Sequence, residues 1–339
     1  MDLKRKLESF PKKQLLDAPT PIQRLHGIEK RLGDKRRGVR IWAKRDDYMS
    51  LGGGGNKLRK LEFLLADAVN SDCNVIVAVG GVQSNFARLA AASCARLGLG
   101  CELVLARMVP REGDLYEQNG NVLLNKLYGA RVHMLEKGAD ALAHALEIAE
   151  TLENMGHRPY IATLGGSTPI GCLGYVSCAQ EVVEQATAMG ISFANIVTAN
   201  GSAGTQAGLV AAFALLGLPT SAVRGFTVLS PLEQALRNTT DKANSALSLL
   251  GSSKVLTEQD INLSAEQLGR GYGVPTESGL GAIRMVASCE GIPLDPVYSG
   301  KAFAGLLDDL GQGAYQENSD VLFLMTGGSA GLFAYADEF

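Results

Sequence analysis

From residue 57 onward, short runs rich in Val, Ile and Leu alternate with segments of helical period, and this alternation limits the fold more than any other feature of the chain. The β-rich runs stand at 75–79, 101–105, 131–135, 160–163, 196–199, 223–228 and 321–325. Helical periods fill 57–70, 85–97, 116–127, 139–155, 170–189, 205–216, 277–290 and 300–311, and a helical turn closes the chain. In the first of these, Leu58, Leu61, Leu65 and Ala68 share one face. Unbroken apolar strands separated by helices imply parallel sheets covered on both faces. No repeat of the solenoid kind and no low-complexity linker divides the sequence, so two interleaved α/β domains fit better than two consecutive ones.

Composition excludes several functions. The formal net charge is −3, and no basic stripe interleaved with aromatics is present, which argues against nucleic acid as a partner. The short Lys4-Arg5-Lys6 and Lys35-Arg36-Arg37 clusters read as solvated surface. No apolar run reaches the roughly 18 residues of a membrane span, and no signal-peptide h-region opens the chain. Cys73, Cys94, Cys101, Cys172, Cys178 and Cys289 are scattered, form no C-x-x-C pair, and read as buried thiols of a cytoplasmic protein. His26, His133, His144 and His157 lie far apart without zinc-ligand spacing, so no metal is expected.

Ligands of open α/β sheets bind beyond the carboxyl ends of the strands, where loops present backbone N–H groups. Three such corners are rich in Gly, Ser, Thr and Asn: Gly80-Gly81-Val82-Gln83-Ser84-Asn85, Asn200-Gly201-Ser202-Ala203-Gly204-Thr205 and Thr326-Gly327-Gly328-Ser329. Each alone is also an ordinary tight turn. The second is the best anion cradle, because its glycines admit close backbone approach and Ser202 and Thr205 add hydroxyls at a helix start. That suits a phosphate. The run Gly52-Gly53-Gly54-Gly55-Asn56-Lys57-Leu58 lacks the Gly before Lys and the Ser/Thr after it that a P-loop needs, and no dinucleotide fingerprint is present.

Lys57 opens a helix after four glycines and an asparagine. The positive end of the helix dipole lowers the pKa of an amine there, exposing the free base that carbonyl chemistry requires. A solvated helix-start lysine is the plainer reading. Arg59 and Lys60 either serve a phosphate or face water.

These residues carry a resemblance. Gly54-Gly55-Asn56-Lys57-Leu58-Arg59-Lys60-Leu61-Glu62-Phe63 resembles the cofactor-lysine segment of the D-cysteine desulfhydrase and 1-aminocyclopropane-1-carboxylate deaminase family, pyridoxal-phosphate (PLP) enzymes of the tryptophan-synthase-β fold. Gln83-Ser84-Asn85, Asn119-Gly120-Asn121, Gly201-Ser202-Ala203-Gly204-Thr205, Gly271-Tyr272-Gly273-Val274-Pro275, Asp295-Pro296-Val297-Tyr298 and Thr326-Gly327-Gly328 follow in the family's order, from about Ala18 to Tyr335. The resemblance implies PLP fold type II, with two three-layer α/β domains and mostly parallel sheets. Residues 1–55 and 165–339 would form the large cofactor-binding domain, with 56–164 inserted as a smaller one. By similarity, Lys57 forms the Schiff base with the cofactor and returns as the proton-transfer base. Asn85 bonds the cofactor's 3-hydroxyl, and Gly201, Ser202, Ala203, Gly204 and Thr205, helped by Lys60, hold its phosphate. Ser84 and Asn85 lie near the substrate carboxylate, and Tyr272 and Tyr298 correspond to the family's two active-site tyrosines. A homodimer is implied in the same way.

Two positions separate the branches of the family. In the deaminases the tyrosine corresponding to Tyr298 is followed by a glutamate that contacts the pyridine nitrogen; here Ser299 follows. Thr326 begins its corner as in the desulfhydrases. A carboxylate at the ring nitrogen makes a stronger electron sink than a threonine hydroxyl does. Opening a cyclopropane needs that strong sink, whereas β-elimination proceeds with the weaker one because electrons leave on the departing group. The expected reaction is therefore β-elimination from a small amino acid to pyruvate and ammonia, with D-cysteine desulfhydrase and L-cysteate sulfo-lyase as the two candidate types. The cyclopropane-acid deaminase and a PLP carrier without turnover are the alternatives. Phe86, where the relatives have a polar residue, either lines the substrate pocket or only packs. Arg107 and Arg111 are either partners of an anionic substrate tail or solvated loop charges.

Overall fold

Strand Val75–Gly81 of the computed structural model, which describes residues 3–339, is buried at every position, and its alternating side chains show why it must be apolar throughout. Ile76 and Ala78 enter one core with Leu58, Leu61, Leu64 and Leu65 of helix Lys57–Asn70 and Ala87 and Leu89 of helix Asn85–Leu97. Val75, Val77 and Val79 enter another with Ala145 and Leu152 of helix Ala141–Asn154. A polar residue anywhere along this strand would forfeit the roughly 1.5–3 kcal/mol of a buried aliphatic side chain and strand a polar group as well.

Numbered in chain order, the strands are β1 (Ile22–Arg24), β2 (Arg40–Lys44), β3 (Val75–Gly81), β4 (Gly100–Ala106), β5 (Arg131–Leu135), β6 (Pro159–Ala162), β7 (Phe193–Asn200), β8 (Val223–Thr227), β9 (Asn262–Ser264) and β10 (Asp320–Leu324). They form a four-stranded sheet, β5-β4-β3-β6, and a six-stranded one, β1-β2-β10-β7-β8-β9. Among the described residues every pairing is parallel except that of β1 with β2. The larger sheet repeats the two-faced logic. Leu322 and Leu324 meet helices Pro169–Met189 and Gly204–Leu216 on one face, while Val321 and Phe323 meet helices Glu277–Glu290 and Ser299–Gly311 on the other. Helix Gly204–Leu216 is buried from Gly204 to Ala214, as an all-round apolar sequence requires.

Four departures from the sequence reading have physical causes. The helix expected over 116–127 is two short helices, Asp114–Glu117 and Asn121–Leu127, broken at Gly120. Gly120 has φ +58°, and a Cβ there would stand 2.6 Å from the Ala330 carbonyl oxygen. Helix Leu232–Leu249 went unread because its buried stripe is Ala235, Thr239, Ala243 and Ala246, small residues that give little periodic signal. Strands β1 and β9 have three residues each, too few for a pattern to register. In β2 the buried Lys44 hides the alternation of Ile41 and Ala43. All six cysteines are free; Cys94, Cys172 and Cys178 are buried, but Cys73, Cys101 and Cys289 are only half-buried. No helix among the described residues is long and apolar enough to cross a membrane.

Candidate active site

The three glycine-rich corners meet. Loops from the carboxyl ends of β3, β7 and β10 line one cleft of about 730 Å³, its open mouth included, together with Asn56, Lys57, Tyr272 and Tyr298.

At one end of the cleft the charge is uncompensated. Lys60 is fully buried, and its Nζ donates to Ser167 Oγ (2.8 Å) and the Gly165 carbonyl (3.2 Å) but meets no carboxylate. Burial first, and the charge of Lys57 second, hold its pKa well below the ordinary lysine value. Ser167 Oγ passes the contact on to Ser202 Oγ at 2.7 Å. Helix Gly204–Leu216 begins here, and a Cβ on Gly204 would stand 2.6 Å from Ser167 Oγ and 2.8 Å from Lys60 Nζ. Glycine lets the cation and the hydroxyls crowd the helix start. Ala203, just before it, takes a left-handed φ of 68°, a conformation that costs a non-glycine residue of order 1 kcal/mol. A buried cation, hydroxyls and a helix N-terminus all favour the same occupant, an anion with several acceptor oxygens.

Lys57 lies in the same cleft on a helix held by its neighbours. Asn56 N–H donates to the Thr326 carbonyl (3.0 Å), and Asn56 Nδ2 donates to Thr205 Oγ1 (3.1 Å), so the lysine's immediate predecessor ties two corners together. The Lys57 amine remains partly open to the cleft, yet burial alone lowers its pKa to about 8 with no acid to offset it. About a tenth is free base at pH 7 and about half at pH 8, far more than for an ordinary lysine.

Ser84 caps helix Asn85–Leu97 by accepting from Ala87 N–H at 3.1 Å, leaving its hydroxyl proton for another acceptor. Asn85 Oδ1 accepts from Asn121 Nδ2 (3.1 Å), which fixes the amide so that its Nδ2 is the end left for the cleft. Asn121 is in turn gripped by Gln83, whose Oε1 accepts from Asn121 N–H (2.9 Å) and whose backbone carbonyl accepts from Asn121 Nδ2 (3.2 Å). Phe86 does both things the sequence left open. Its ring is 2 % exposed in the core around β3, and it forms part of the cleft wall.

Opposite, Tyr272 and Tyr298 share a hydrogen bond of 2.6 Å between their hydroxyls, with rings 6.0 Å apart. Burial, and for Tyr298 the neighbouring Tyr272, raise both pKa values, so both phenols keep their protons. The buried Asp295 accepts from the N–H groups of Val297 (2.9 Å), Tyr298 (2.8 Å) and Ser299 (2.8 Å) and from Ser299 Oγ (2.5 Å). The Ser299 hydroxyl is thus spent on a turn and does not line the cleft. Thr326 does, and among the described residues no Asp or Glu lines the cleft.

Three arginines lie elsewhere. Arg59 turns away from the cleft and is neither a phosphate ligand nor solvated, since it binds Asp46 (2.8 Å) and Glu181 (2.9 Å) in the interior. Arg107 pairs with Glu117, and Arg111 pairs with Asp337 and Glu338 while lying over the Tyr335 ring. The sequence reading also missed contributors. Ser167 joins the anion cradle from a Gly-Gly-Ser-Thr-Pro turn that reads as a helix start, and Asn121 positions Asn85 from a motif whose role was not deduced. Met108, Leu164 and Leu229 line the cleft from loops with no chemical signature.

An amine of lowered pKa and a phosphate-sized cradle in one cleft of a mostly parallel α/β fold define a protein built to bind a phosphorylated carbonyl compound. The chain belongs to the pyridoxal-phosphate dependent enzyme family, whose model matches residues 13–327. It is 40 % identical over 336 residues to the D-cysteine desulfhydrase of Serratia proteamaculans, covering 99 % of both chains. It is also 40 % identical over 335 residues to that of Yersinia enterocolitica, again with 99 % coverage of both. A solved structure described as an ACC deaminase homologue superposes with a TM-score of 0.88 at 36 % identity, over 99 % of this chain and 97 % of that one. The expected fold, family and cofactor are therefore correct. The residues suit pyridoxal phosphate, with an amine for its aldehyde and a cation, hydroxyls and a helix start for its phosphate.

Proposed function

We propose that this enzyme eliminates the β-substituent of a small amino acid to give pyruvate and ammonia, with D-cysteine and its sulfide leaving group as the first candidate and L-cysteate as the second. The observation that carries the reading is Thr326 in a cleft that, among the described residues, no carboxylate lines, with Ser299 turned into the Asp295 turn. Bound pyridoxal phosphate supplies the electron sink for the substrate's α-carbon, and without an acid at its ring nitrogen that sink suits a reaction in which electrons depart on a leaving group.

The chain's own residues divide the work. The Lys57 amine would hold the cofactor and would take up the substrate's α-proton; its lowered pKa makes it a better base near neutrality than an ordinary lysine. Lys60, Ser202, Thr205 and the backbone of Gly201, Ala203 and Gly204 hold the phosphate. Ser84 O–H and Asn85 Nδ2 hold the substrate carboxylate, with Asn85 also close to the cofactor's hydroxyl, and Phe86 walls that side. Tyr298, whose proton burial retains and whose orientation Tyr272 fixes, delivers a proton to the departing sulfur. We also read 1–55 with 165–339 as the lobe that holds the phosphate and 56–164 as an inserted lobe, and the working form as a cytoplasmic homodimer. A sedimentation mass of one chain would contradict the dimer.

Lys57→Ala is the direct test. The variant is expected to lose the yellow absorbance of the reconstituted enzyme and to release pyruvate at least about 10³-fold more slowly. Retention of the wild-type spectrum overturns the lysine's role. Assays with D-cysteine, L-cysteate and 1-aminocyclopropane-1-carboxylate rank the reactions, and a keto acid from the cyclopropane substrate alone would replace elimination by deamination.

A further inference from the structure

Tyr272 is carried by a segment with little structure of its own. Between the end of β9 at Ser264 and the start of helix Glu277–Glu290 the chain forms neither helix nor strand. Tyr272 stands there between two glycines of positive φ, +140° at Gly271 and +72° at Gly273. A Cβ on Gly273 would meet Val109 Cγ2 at 2.3 Å, whereas nothing lies within 4 Å of one on Gly271. Glycine on both sides leaves the backbone more freedom than any other residue would, so the place of Tyr272 depends on what grips the segment from outside.

Two buried side chains grip it, one on each side of the tyrosine. Lys301 Nζ donates to the carbonyls of Leu268 (2.8 Å) and Gly271 (3.2 Å), and Tyr335 O–H donates to the Gly273 carbonyl (2.8 Å). Both side chains are buried, and neither lines the cleft around Lys57. Lys301 stands on helix Ser299–Gly311, three residues past Tyr298, so the helix start that sets one phenol also reaches back to hold the other. Gln267, further back in the segment, donates to Asp308 Oδ2 (2.6 Å) on the same helix. An apolar side chain would be the less costly occupant of the Lys301 position. Burial lowers the amine's pKa to about 8, and Asp295 offsets this only in part. The hydrogen bonds of Lys301 go to backbone carbonyls of this segment, so what the amine contributes is its hold on the chain beside Tyr272.

We propose that Lys301 is a positioning residue of the reaction, which together with Tyr335 holds the backbone on both sides of Tyr272 and so keeps that phenol against Tyr298. The inference rests on the elimination reading above, in which Tyr298 is the proton donor, and adds to it what keeps the donor aimed. As the Cβ–S bond breaks, both its electrons pass to sulfur and the Tyr298 proton joins them, leaving the Tyr298 oxygen as a phenolate. The Tyr272 hydroxyl, 2.6 Å away, donates to that phenolate, and Tyr298 recovers a proton from solvent before the next turnover. Releasing the Gly271 carbonyl lets Tyr272 slide, and the stabilisation of the phenolate is lost with its alignment.

The experiment uses the reconstituted full-length enzyme and follows pyruvate from D-cysteine. Lys301→Met should lower kcat about 30-fold while KM stays within about threefold and the absorbance of the bound cofactor is unchanged. Tyr272→Phe should lower kcat by a similar factor. Adding Lys301→Met to it should cost no more than about twofold further, because the hydroxyl that Lys301 aims is already gone. Tyr335→Phe deletes one oxygen on the other side of the segment, and should lower kcat about fivefold alone but not in the Tyr272→Phe background. Wild-type kcat in Lys301→Met, or in Tyr335→Phe where Lys301→Met does not fold, overturns the proposal. So do single losses that multiply in the double variant, or a loss confined to KM. A wild-type enzyme that makes no pyruvate from D-cysteine overturns the elimination reading instead, and the positioning role falls with it.

Discussion

Helix Lys57–Asn70 carries three cations within four residues, and they meet opposite fates. Arg59 points into the interior, where its Nε and Nη2 each donate to Asp46 at 2.8 Å and Glu181 accepts from it at 2.9 Å. Tyr175 O–H (2.6 Å) and Thr20 O–H (2.8 Å) complete the Asp46 shell, and the buried Lys44 donates to the Thr20 carbonyl (2.6 Å), to Gln185 (2.6 Å) and to Glu181. Asp46 is held below the ordinary carboxylate pKa because these cations outweigh its burial. Lys57 and Lys60, two residues before Arg59 and one after it, pair with no acid among the described residues. Burial is common to both places, so burial does not distinguish them. What distinguishes a binding site from a structural cluster is charge left for a ligand to neutralise.

The comparison breaks most visibly at Asp46. Asp46→Asn leaves a buried guanidinium with a weaker acceptor and an amide facing its donors, and should cost about 3 kcal/mol in urea unfolding without altering substrate preference. Lys60→Met should do the reverse. The desolvation relieved on removing an unpaired ammonium offsets the hydrogen bonds lost to Ser167 and Gly165, so apo stability should move by less than about 1 kcal/mol. Affinity for pyridoxal phosphate should fall about 30-fold in an absorbance titration, the loss of one charge-assisted contact. If Lys60→Met unfolds the protein while cofactor affinity holds, the two clusters are of one kind and the distinction fails.

The same contrast marks what the sequence could disclose. The strands buried on both faces, such as β3 and β10, were readable because covering both sides forces continuous apolar residues, whereas Lys57 was singled out only by the family resemblance, its glycines and helix start fitting a solvated lysine equally well. The fate of Arg59 was not readable, because its partners Asp46 and Glu181 lie 13 and 122 residues away in the chain. Ser167 and Asn121 were missed for a related reason. Serine and asparagine near turns are ordinary residues of helix starts, and only the fold shows that one touches Lys60 and the other Asn85. Met108, Leu164 and Leu229, which also line the cleft, left no trace, since apolar loop residues carry no motif.

A smaller effect sharpens the contrast through pH. Lys57 titrates at about 8 in the folded protein, below the ordinary lysine value of 10.5. The rate at which apo-protein and pyridoxal phosphate develop colour should therefore climb about tenfold per pH unit below that point and flatten above it. The sign for stability follows from the same depression. Below pH 8 the folded apo-protein bears the full cost of a desolvated ammonium, and as pH rises toward 10.5 the folded state is already neutral while the unfolded chain still binds the proton. This group thus makes the apo-protein more stable with rising pH across that window, and Lys301, lowered by burial to about 8, acts in the same direction. A colour-formation rate independent of pH from 6.5 to 9 would show that free amine does not limit the reaction.

The smallest effect separates orientation from stability. Asn121 spends its Nδ2 on Asn85 and Gln83, while its own Oδ1 is buried without a partner. Asn121→Ala removes two donated hydrogen bonds and one stranded acceptor together, and these oppose each other, so the melting temperature should shift by only a few degrees. Asn85 loses the donor that fixes which end of its amide faces the cleft. A freely flipping amide presents its acceptor to the substrate carboxylate part of the time, which weakens binding by about 1 kcal/mol, or roughly fivefold in KM, with kcat less affected. Asn121→Asp gives the opposing control. A carboxylate cannot donate to Asn85 Oδ1 and would turn that amide round, so its KM should exceed that of the alanine variant; equal values would mean that Asn121 fills space and does not aim Asn85.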